Sequence, residues 1–243
     1  MENKKLVVGN MKMNLSATEI NKYLKIIDKK EYNKQVIFCP SNIYLPYFIG
    51  NKYGVGIQNI SEYESGAYTG EVSALQVSSM KIDYVLVGHS ERREYYKETD
   101  DLVRTKLAIA LKSKLKVILC IGETEAERDS LSTYKVLKHQ LTVALKGMDN
   151  EYYKNIIIAY EPVWSIGTGK VPTNTEIEDT ITFIKKMVMD LCNTNIRVLY
   201  GGSVNDENIE DLNTIPNVDG YLVGGASIKL DKFNKIIEVV VNQ

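Results

Sequence analysis

The chain has few of the residues that most often bind metals or cross-link a fold. Its 243 residues include only two histidines and three cysteines, Cys39, Cys120 and Cys192, which are widely spaced and form no CxxC pair. An odd, scattered set of cysteines predicts reduced thiols in a cytoplasmic protein, not a disulfide framework or a zinc site. Two histidines also argue against a His-rich metal centre. We therefore expect no metal and no cofactor.

An excess of charge and a long apolar run are also missing. Lys and Arg number 30 and Asp and Glu 31, which leaves a net charge of -1. Overall charge therefore does not favour nucleic acid or a membrane as a partner, although a local patch could still bind a small anion. The few apolar residues after Met1 are too few for a signal peptide or a membrane span. Hydrophobic residues at 44% predict a globular protein with a sizeable core.

The sequence has no linker, no low-complexity tract and no GxGxxG motif after a strand. Eight short apolar runs recur instead, each followed by a helix-like segment, at residues 5–9, 36–39, 54–58, 84–87, 117–121, 156–160, 197–200 and 220–223. Eight strand–helix alternations in this length favour a closed α/β barrel, the (β/α)₈ TIM barrel, formed by residues 1–243 as a single domain. A Rossmann-type sheet is the alternative, and the missing glycine motif weakens it.

The pattern between the strands predicts several helices. A short helix is expected from about Asn42 to Asn51, and a long one from about Glu123 to Lys146. Residues 90–95 form a charged turn whose first residues are typical of a helix start. His139, in the long helix, is expected to face solvent.

Polar residues follow several of the predicted strands. Glu161 ends the sixth strand and precedes Pro162 and a loop with two glycines. In a barrel the strand ends meet at one face, where catalytic residues gather. Glu161 is therefore a candidate general base beneath a closing loop. A solvated glutamate in an ordinary βα turn is the alternative.

Two glycine pairs follow the last two strands. Gly201 and Gly202 precede Ser203 after the seventh strand, and Gly224 and Gly225 follow the eighth. Glycines allow the backbone to approach an anion, and barrel enzymes often hold phosphate between these two loops. The two pairs predict a phosphate site, with Gly167 of the closing loop as a further backbone donor. Tight packing alone would be the other explanation.

Other strand ends supply the remaining candidates. Asn10 and Lys12 follow the first strand, and His89 and Glu91 follow the fourth. A neutral His89 at a helix start could donate a hydrogen bond to a carbonyl, and Lys12 could stabilise negative charge. Glu91 could orient Lys12 or Ser90. Structural roles and solvated charges are the alternatives, but together the set fits proton abstraction next to a carbonyl.

At this point the sequence resembles the triosephosphate isomerase family almost from end to end. The resemblance rests on segments in the family's order: 9–14 (GNMKMN), 58–59 (QN), 66–71 (GAYTGE), 87–93 (VGHSERR), 120–123 (CIGE), 159–170 (AYEPVWSIGTGK), 200–204 (YGGSV) and 220–229 (GYLVGGASIK).

The resemblance implies interconversion of dihydroxyacetone phosphate and D-glyceraldehyde 3-phosphate through an enediol(ate), in glycolysis and gluconeogenesis. Glu161 would move the proton, and His89 would polarise the carbonyl. Lys12 and Asn10 would stabilise the anion. The phosphate would be held by Gly167, Ser203, Gly224 and Gly225, under a lid from Pro162 to Pro172.

The resemblance also implies a homodimer in which the loop from Tyr63 to Glu71 reaches into the partner beside Lys12. This chain departs from the family at Met11, where Trp is usual, and at Pro172, which fixes φ at the second lid hinge.

Other functions differ in the residues they would need. A metal-dependent epimerase would need several His and Asp ligands at strand ends, and a Schiff-base aldolase would have only Lys12 as its lysine. A non-catalytic phosphate-binding scaffold would be expected to lack Glu161 or His89.

Overall fold

The computed structural model describes residues 4–27, 29, 30 and 32–241, and these form a closed barrel of eight parallel strands. Each strand pairs with the next one in the chain, and the eighth pairs with the first. The (β/α)₈ prediction is therefore confirmed. The strands are β1 Leu6–Asn10, β2 Val36–Cys39, β3 Gly54–Ile57, β4 Tyr84–Val87, β5 Lys116–Ile121, β6 Ile156–Tyr160, β7 Arg197–Tyr200 and β8 Gly220–Val223.

Ten α-helices and four 3₁₀ segments connect the described strands. The helices are α1 Ala17–Ile27, α2 Leu45–Phe48, α3 Ala74–Ser79, α4 Ser90–Tyr95, α5 Asp100–Lys112, α6 Glu125–Asp129, α7 Thr133–Leu145, α8 Asn174–Cys192, α9 Ile209–Leu212 and α10 Leu230–Val241. The 3₁₀ segments are Asn42–Tyr44, Asn150–Asn155, Val163–Ser165 and Gly225–Ile228. None of the described helices is both long and apolar enough to cross a bilayer.

The long helix predicted from Glu123 to Lys146 is wrong, because the chain forms two helices there. Thr124 caps α6 through a reciprocal capping box with Glu127, so the helix begins after Glu123. Leu131 then adopts a φ of 56°, which no right-handed helix tolerates. Serines flank Leu131 on both sides, and their hydroxyls bond locally, which favours a turn over a continuous helix.

Two shorter segments also differ from the predictions. The predicted helix from Asn42 to Asn51 is a 3₁₀ turn followed by the four-residue α2, because Pro46 has no N–H to continue a helix that begins at Asn42. Residues 90–95 are a full helix, α4, where a charged turn was expected. His89 caps its first turn, so the predicted helix start is confirmed.

The barrel has two apolar layers, because successive strand side chains point to opposite faces of the sheet. One layer is built only from strand residues and fills the barrel interior, with Val8, Ile37, Leu86, Ile118 and Leu199 among its members. The larger layer packs between the outer face of the sheet and the helices. Because the parallel strands close around this interior, their carboxyl ends and the polar residues that follow them lie around one rim of the barrel.

Candidate active site

A cavity of about 350 Å³ opens among the carboxyl ends of the strands. All eight residues predicted to touch substrate line this cavity. They are Asn10, Lys12, His89, Glu161, Gly167, Ser203, Gly224 and Gly225. A neighbouring cleft of about 430 Å³ shares three of these residues and adds Glu91. Sequence positions more than 200 residues apart therefore line one cavity. Its walls carry a carboxylate, an imidazole, a lysine and two glycine turns.

Glu161 lies at the end of β6 with only 3% of its surface exposed. Its N–H donates to Ile121 O at 2.8 Å, which continues the strand pairing by one residue. Two neighbouring glycines make room for it. A Cβ on Gly122 would lie 1.7 Å from Glu161 O, and one on Gly201 would lie 2.9 Å from Glu161 Cγ. Any larger residue would therefore displace the main chain of Glu161 at the first position and its side chain at the second.

Two donors hold the Glu161 carboxylate in its resting position. Its Oε1 lies 3.1 Å from His89 Nε2, and its Oε2 accepts the Ser90 N–H at 3.3 Å. Burial by itself raises the pKa of Glu161, but the His89 imidazole, the Ser90 N–H and the Cys120 thiol together lower it by more, so the net pKa lies below the ordinary value. Glu161 is therefore ionised while it rests on these donors.

The imidazole of His89 is oriented from both sides. Its Nδ1 accepts the Glu91 N–H at 3.3 Å, so the ring proton is assigned to Nε2, which faces Glu161. Burial lowers the pKa of His89, whereas the Glu161 carboxylate raises it and places the net pKa above the ordinary value. This rise depends mainly on Glu161, and Glu91 adds to it. If the carboxylate turns away towards a substrate, burial favours the neutral imidazole with its donor on Nε2.

Lys12 has a left-handed backbone, with a φ of 51°. Three contacts hold it there. Its N–H donates to Asn10 Oδ1 at 3.0 Å, its carbonyl accepts Gln58 Nε2 at 2.8 Å, and its Nζ donates to Glu91 Oε1 at 2.6 Å. Non-glycine residues adopt this conformation at a cost, and surrounding contacts must maintain it. Lys12 and Ser90 were the two partners expected for Glu91, and its carboxylate contacts Lys12.

The glycine turns lie beside the lysine. Lys12 Nζ is 3.7 Å from the position that a Cβ on Gly224 would occupy. The 3₁₀ segment that begins at Gly225 is tied to β1, because Ser227 Oγ donates to Asn10 O at 3.1 Å. A cation next to an open glycine turn, with backbone N–H groups at the start of a helical turn, is a suitable place for an anion.

The loop after Glu161 is anchored at its first hinge by Glu123. Glu123 O accepts the Val163 N–H at 3.0 Å, and its Oε1 accepts Trp164 Nε1 at 2.8 Å and Tyr160 OH at 3.2 Å. The Arg128 guanidinium stacks 3.8 Å from the Trp164 ring. Burial raises the pKa of Glu123, and the Trp164 hydrogen bond opposes that rise.

Sequence reasoning gave no role to Gln58 or Glu123, although both stand at strand ends. The rule that selected Glu161 could have found them, since each follows β3 or β5 directly or nearly so. The Ser90 contact uses a backbone N–H, for which the sequence has no signal. Within the described part of the chain, no group of three or more His, Cys, Asp or Glu side chains is arranged to hold a metal ion. The three cysteines are free and buried.

Comparison with known proteins agrees with this geometry. The family model for triosephosphate isomerase matches residues 5–240. The chain is 45% identical to the triosephosphate isomerase of Leptospira biflexa serovar Patoc, over 95% of this chain and 97% of that protein. It is 40% identical to that of Francisella tularensis subsp. novicida, over 96% of each, and 39% identical to that of Acetivibrio thermocellus, over 97% and 98%. The chain belongs to the triosephosphate isomerase family.

Proposed function

We propose that this protein interconverts dihydroxyacetone phosphate and D-glyceraldehyde 3-phosphate by moving a proton between adjacent carbons through an enediol(ate). One observation carries this proposal. A fully buried carboxylate, Glu161, shares one cavity with a histidine donor, a lysine and two glycine turns. Family membership supports the same reaction. These groups can remove a proton next to a carbonyl, stabilise the resulting anion and hold a phosphate.

Glu161 is the proposed base. In its resting position the carboxylate is bound to His89 and the Ser90 N–H, so it must leave both donors to reach a substrate carbon. These donors lower its pKa, whereas burial raises it. A carboxylate that leaves the donors but stays in the closed cavity therefore becomes more basic. The base thus gains strength at the position where it acts.

His89, Lys12 and Asn10 are the proposed partners of the substrate oxygens. The Nε2–H of His89 is released when Glu161 moves, and it can then donate to a carbonyl or enediolate oxygen. Lys12 supplies a positive charge beside the developing anion. Asn10 uses Oδ1 to hold the Lys12 backbone, so its Nδ2 is the group that can donate to substrate. Glu91 orients the lysine.

The phosphate is proposed to bind backbone N–H groups of Gly167, Ser203, Gly224 and Gly225, which line the same cavity. Gly167 belongs to the loop 162–172, whose middle glycines have φ values of 71° and 77° and no neighbour within 4 Å of an added Cβ. Glycine takes up this left-handed backbone, and others, without steric cost, so these two positions give the loop its conformational freedom. Its closure over the substrate would exclude water and suppress phosphate elimination from the enediolate.

A homodimer is proposed through residues 63–71. The rings of Tyr63 and Tyr68 in this loop stack with centroids 3.8 Å apart, and both are partly exposed. The 430 Å³ cleft beside Lys12 is lined in part by Met13 and Ile43, and Met13 is 92% exposed. A second copy whose loop enters this cleft would cover those side chains. Sedimentation at micromolar concentration should give a dimer, and a monomer alone would refute this assembly.

A cytoplasmic location is also proposed. Three free, buried cysteines are typical of proteins kept in a reducing compartment. Subcellular fractionation of the source cells tests this, and recovery of the protein outside the cytoplasm would contradict it.

The function is tested by a coupled assay of glyceraldehyde 3-phosphate turnover with purified protein, with and without a metal chelator. We expect isomerase activity that chelation leaves unchanged, because the proposed groups are all side chains and backbone N–H groups of the chain. Pure protein without activity, or activity abolished by the chelator, would refute the proposal.

A further inference from the structure

The loop after β7 is held by the side chains of two asparagines, Asn208 and Asn205. No helix or strand is formed between the end of β7 at Tyr200 and the start of α9 at Ile209, so regular hydrogen bonding does not support this stretch. Asn208 supplies the support instead. Its Nδ2 donates to Ser203 O at 2.8 Å, and its Oδ1 accepts the Asn205 N–H at 2.9 Å.

Asn205 also holds this loop through its side chain. Asn205 Oδ1 accepts the Asn208 N–H at 3.0 Å and the Glu207 N–H at 2.8 Å. Two asparagines therefore bridge the loop reciprocally, each through its own side chain. Because the partners of Asn208 are a backbone carbonyl and a backbone N–H, the orientation of its amide is fixed. Only a side chain that both donates and accepts satisfies the two partners.

Asn208 does not line the anion cavity, whereas Ser203 does. Any effect of Asn208 on a ligand must therefore pass through the two residues that it bonds, Ser203 and Asn205, both of which line the cavity. The bond to Ser203 O fixes the peptide that follows Ser203, and so restricts the orientation of the serine and its N–H. Hydrogen-bond donors that already point towards the anion bind it more tightly than donors that must first be ordered.

We propose that Asn208 is the positioning residue of the phosphate subsite, and that it holds Ser203 in the orientation that binds the phosphate of the substrate. The inference rests on the proposed function for the identity of the anion. It assigns Asn208 to binding of the phosphate group and to no step at the reacting carbons.

Two substitutions separate hydrogen bonding from charge. Asn208→Leu removes donor and acceptor at similar volume and adds no charge. Asn208→Asp keeps the acceptor but places a carboxylate oxygen against Ser203 O, and it adds a negative charge near the anion site. Asn208→Ser is a milder variant that keeps a donor and an acceptor with a shorter reach.

Asn51→Leu is the matched control. Asn51 Nδ2 also donates to a backbone carbonyl, Phe48 O, at 3.3 Å and to Tyr53 OH at 2.8 Å, but it lines neither cavity at the strand ends.

Three measurements are made on each variant that unfolds cooperatively by circular dichroism. They are the dissociation constant of inorganic phosphate by NMR titration, the KM and kcat for glyceraldehyde 3-phosphate, and kcat/KM for glyceraldehyde, which has no phosphate. We expect Asn208→Leu to weaken phosphate binding roughly three- to tenfold, as for one lost hydrogen bond. KM should rise by a similar factor, kcat should change less, and turnover of glyceraldehyde should stay unchanged. Asn208→Asp should lose at least as much, Asn208→Ser should lose less, and Asn51→Leu should match the wild type.

Wild-type affinity for inorganic phosphate in Asn208→Leu would overturn the inference, as would an equal loss with glyceraldehyde. Failure of the proposed function is a separate result. If the wild type binds phosphate without isomerase activity, the function fails, and the phosphate titrations still decide the role of Asn208.

Discussion

Gln58 offers a direct test of how the left-handed Lys12 backbone is maintained. Its side-chain amide donates to Lys12 O at 2.8 Å and to Cys39 O at 2.9 Å. Cys39 O also accepts the Met11 N–H at 3.1 Å, so it keeps one partner if the amide is lost. We consider Gln58→Glu, which keeps the shape of the side chain and removes both N–H donors.

The expected cost follows from these contacts. Two hydrogen bonds of about 0.5–1.5 kcal/mol each are lost, and a partly buried carboxylate facing two carbonyl oxygens adds about 1–3 kcal/mol. The free energy of unfolding should therefore fall by about 2–6 kcal/mol at pH 8. For a chain of this length each kcal/mol corresponds to roughly 2–4 °C, so the Tm should fall by roughly 4–24 °C.

The same substitution predicts a pH dependence with a definite sign. The carbonyl oxygens favour the protonated form, so the pKa of the new carboxyl in the folded protein should exceed its unfolded value of about 4.3. The folded state then binds more protons, and the variant loses stability as the pH rises through the folded pKa. Its deficit relative to the wild type should be smallest near or below pH 4.3 and largest above neutrality.

Gln58→Met is the control, because it removes the donors at similar size and adds no carboxyl. Thermal unfolding of the three proteins is followed at equal concentration from pH 4.5 to pH 8. We expect the methionine variant to lose about 1–3 kcal/mol with no added pH dependence. Equal losses in both variants, with parallel pH profiles, would refute the account of Gln58.

Three further predictions concern Glu161, His89 and Lys106. Glu161→Asp retracts the base by one methylene, so kcat should fall by orders of magnitude with little change in KM, and a fully active variant would remove Glu161 from the role of base. Glu161→Gln removes the main group that raises the pKa of His89, so this pKa should fall in an NMR titration, and an unchanged value would contradict the geometry. Lys106 and Glu98 form a buried ion pair at 2.6 Å, and Glu98 also accepts from Arg92 Nε at 2.5 Å, so Lys106→Met leaves Glu98 paired and should lower the unfolding free energy by about 1.5–3 kcal/mol in denaturant titrations, whereas no measurable loss would contradict burial of the pair.

Much of the fold was predictable, because its signals are local. A strand of this barrel is a short apolar run with a turn after it, and both can be read without knowing the neighbours. The wrongly predicted helix between Glu123 and Lys146 shows where this signal fails. At Leu131, a left-handed residue flanked by serines separates α6, which buries none of its residues, from the apolar stripe of α7. Periodicity cannot detect such a break, because it measures only where apolar residues recur.

The sequence by itself determined which chemical groups stand at the ends of the strands, since the position of Glu161, His89 and Lys12 after apolar runs is a property of the chain alone. Only the tertiary structure decided which of these groups touch. Closure of the barrel pairs β8 with β1 and so places the glycine turn at Gly224 beside Lys12. The contacts of Gln58 with Lys12 and of Glu123 with Trp164 likewise join segments distant in the chain. The physical reason is the distance along the chain over which each effect acts. Propensity and periodicity act over a few residues, whereas hydrogen bonds between strand ends depend on the closure and register of the whole barrel.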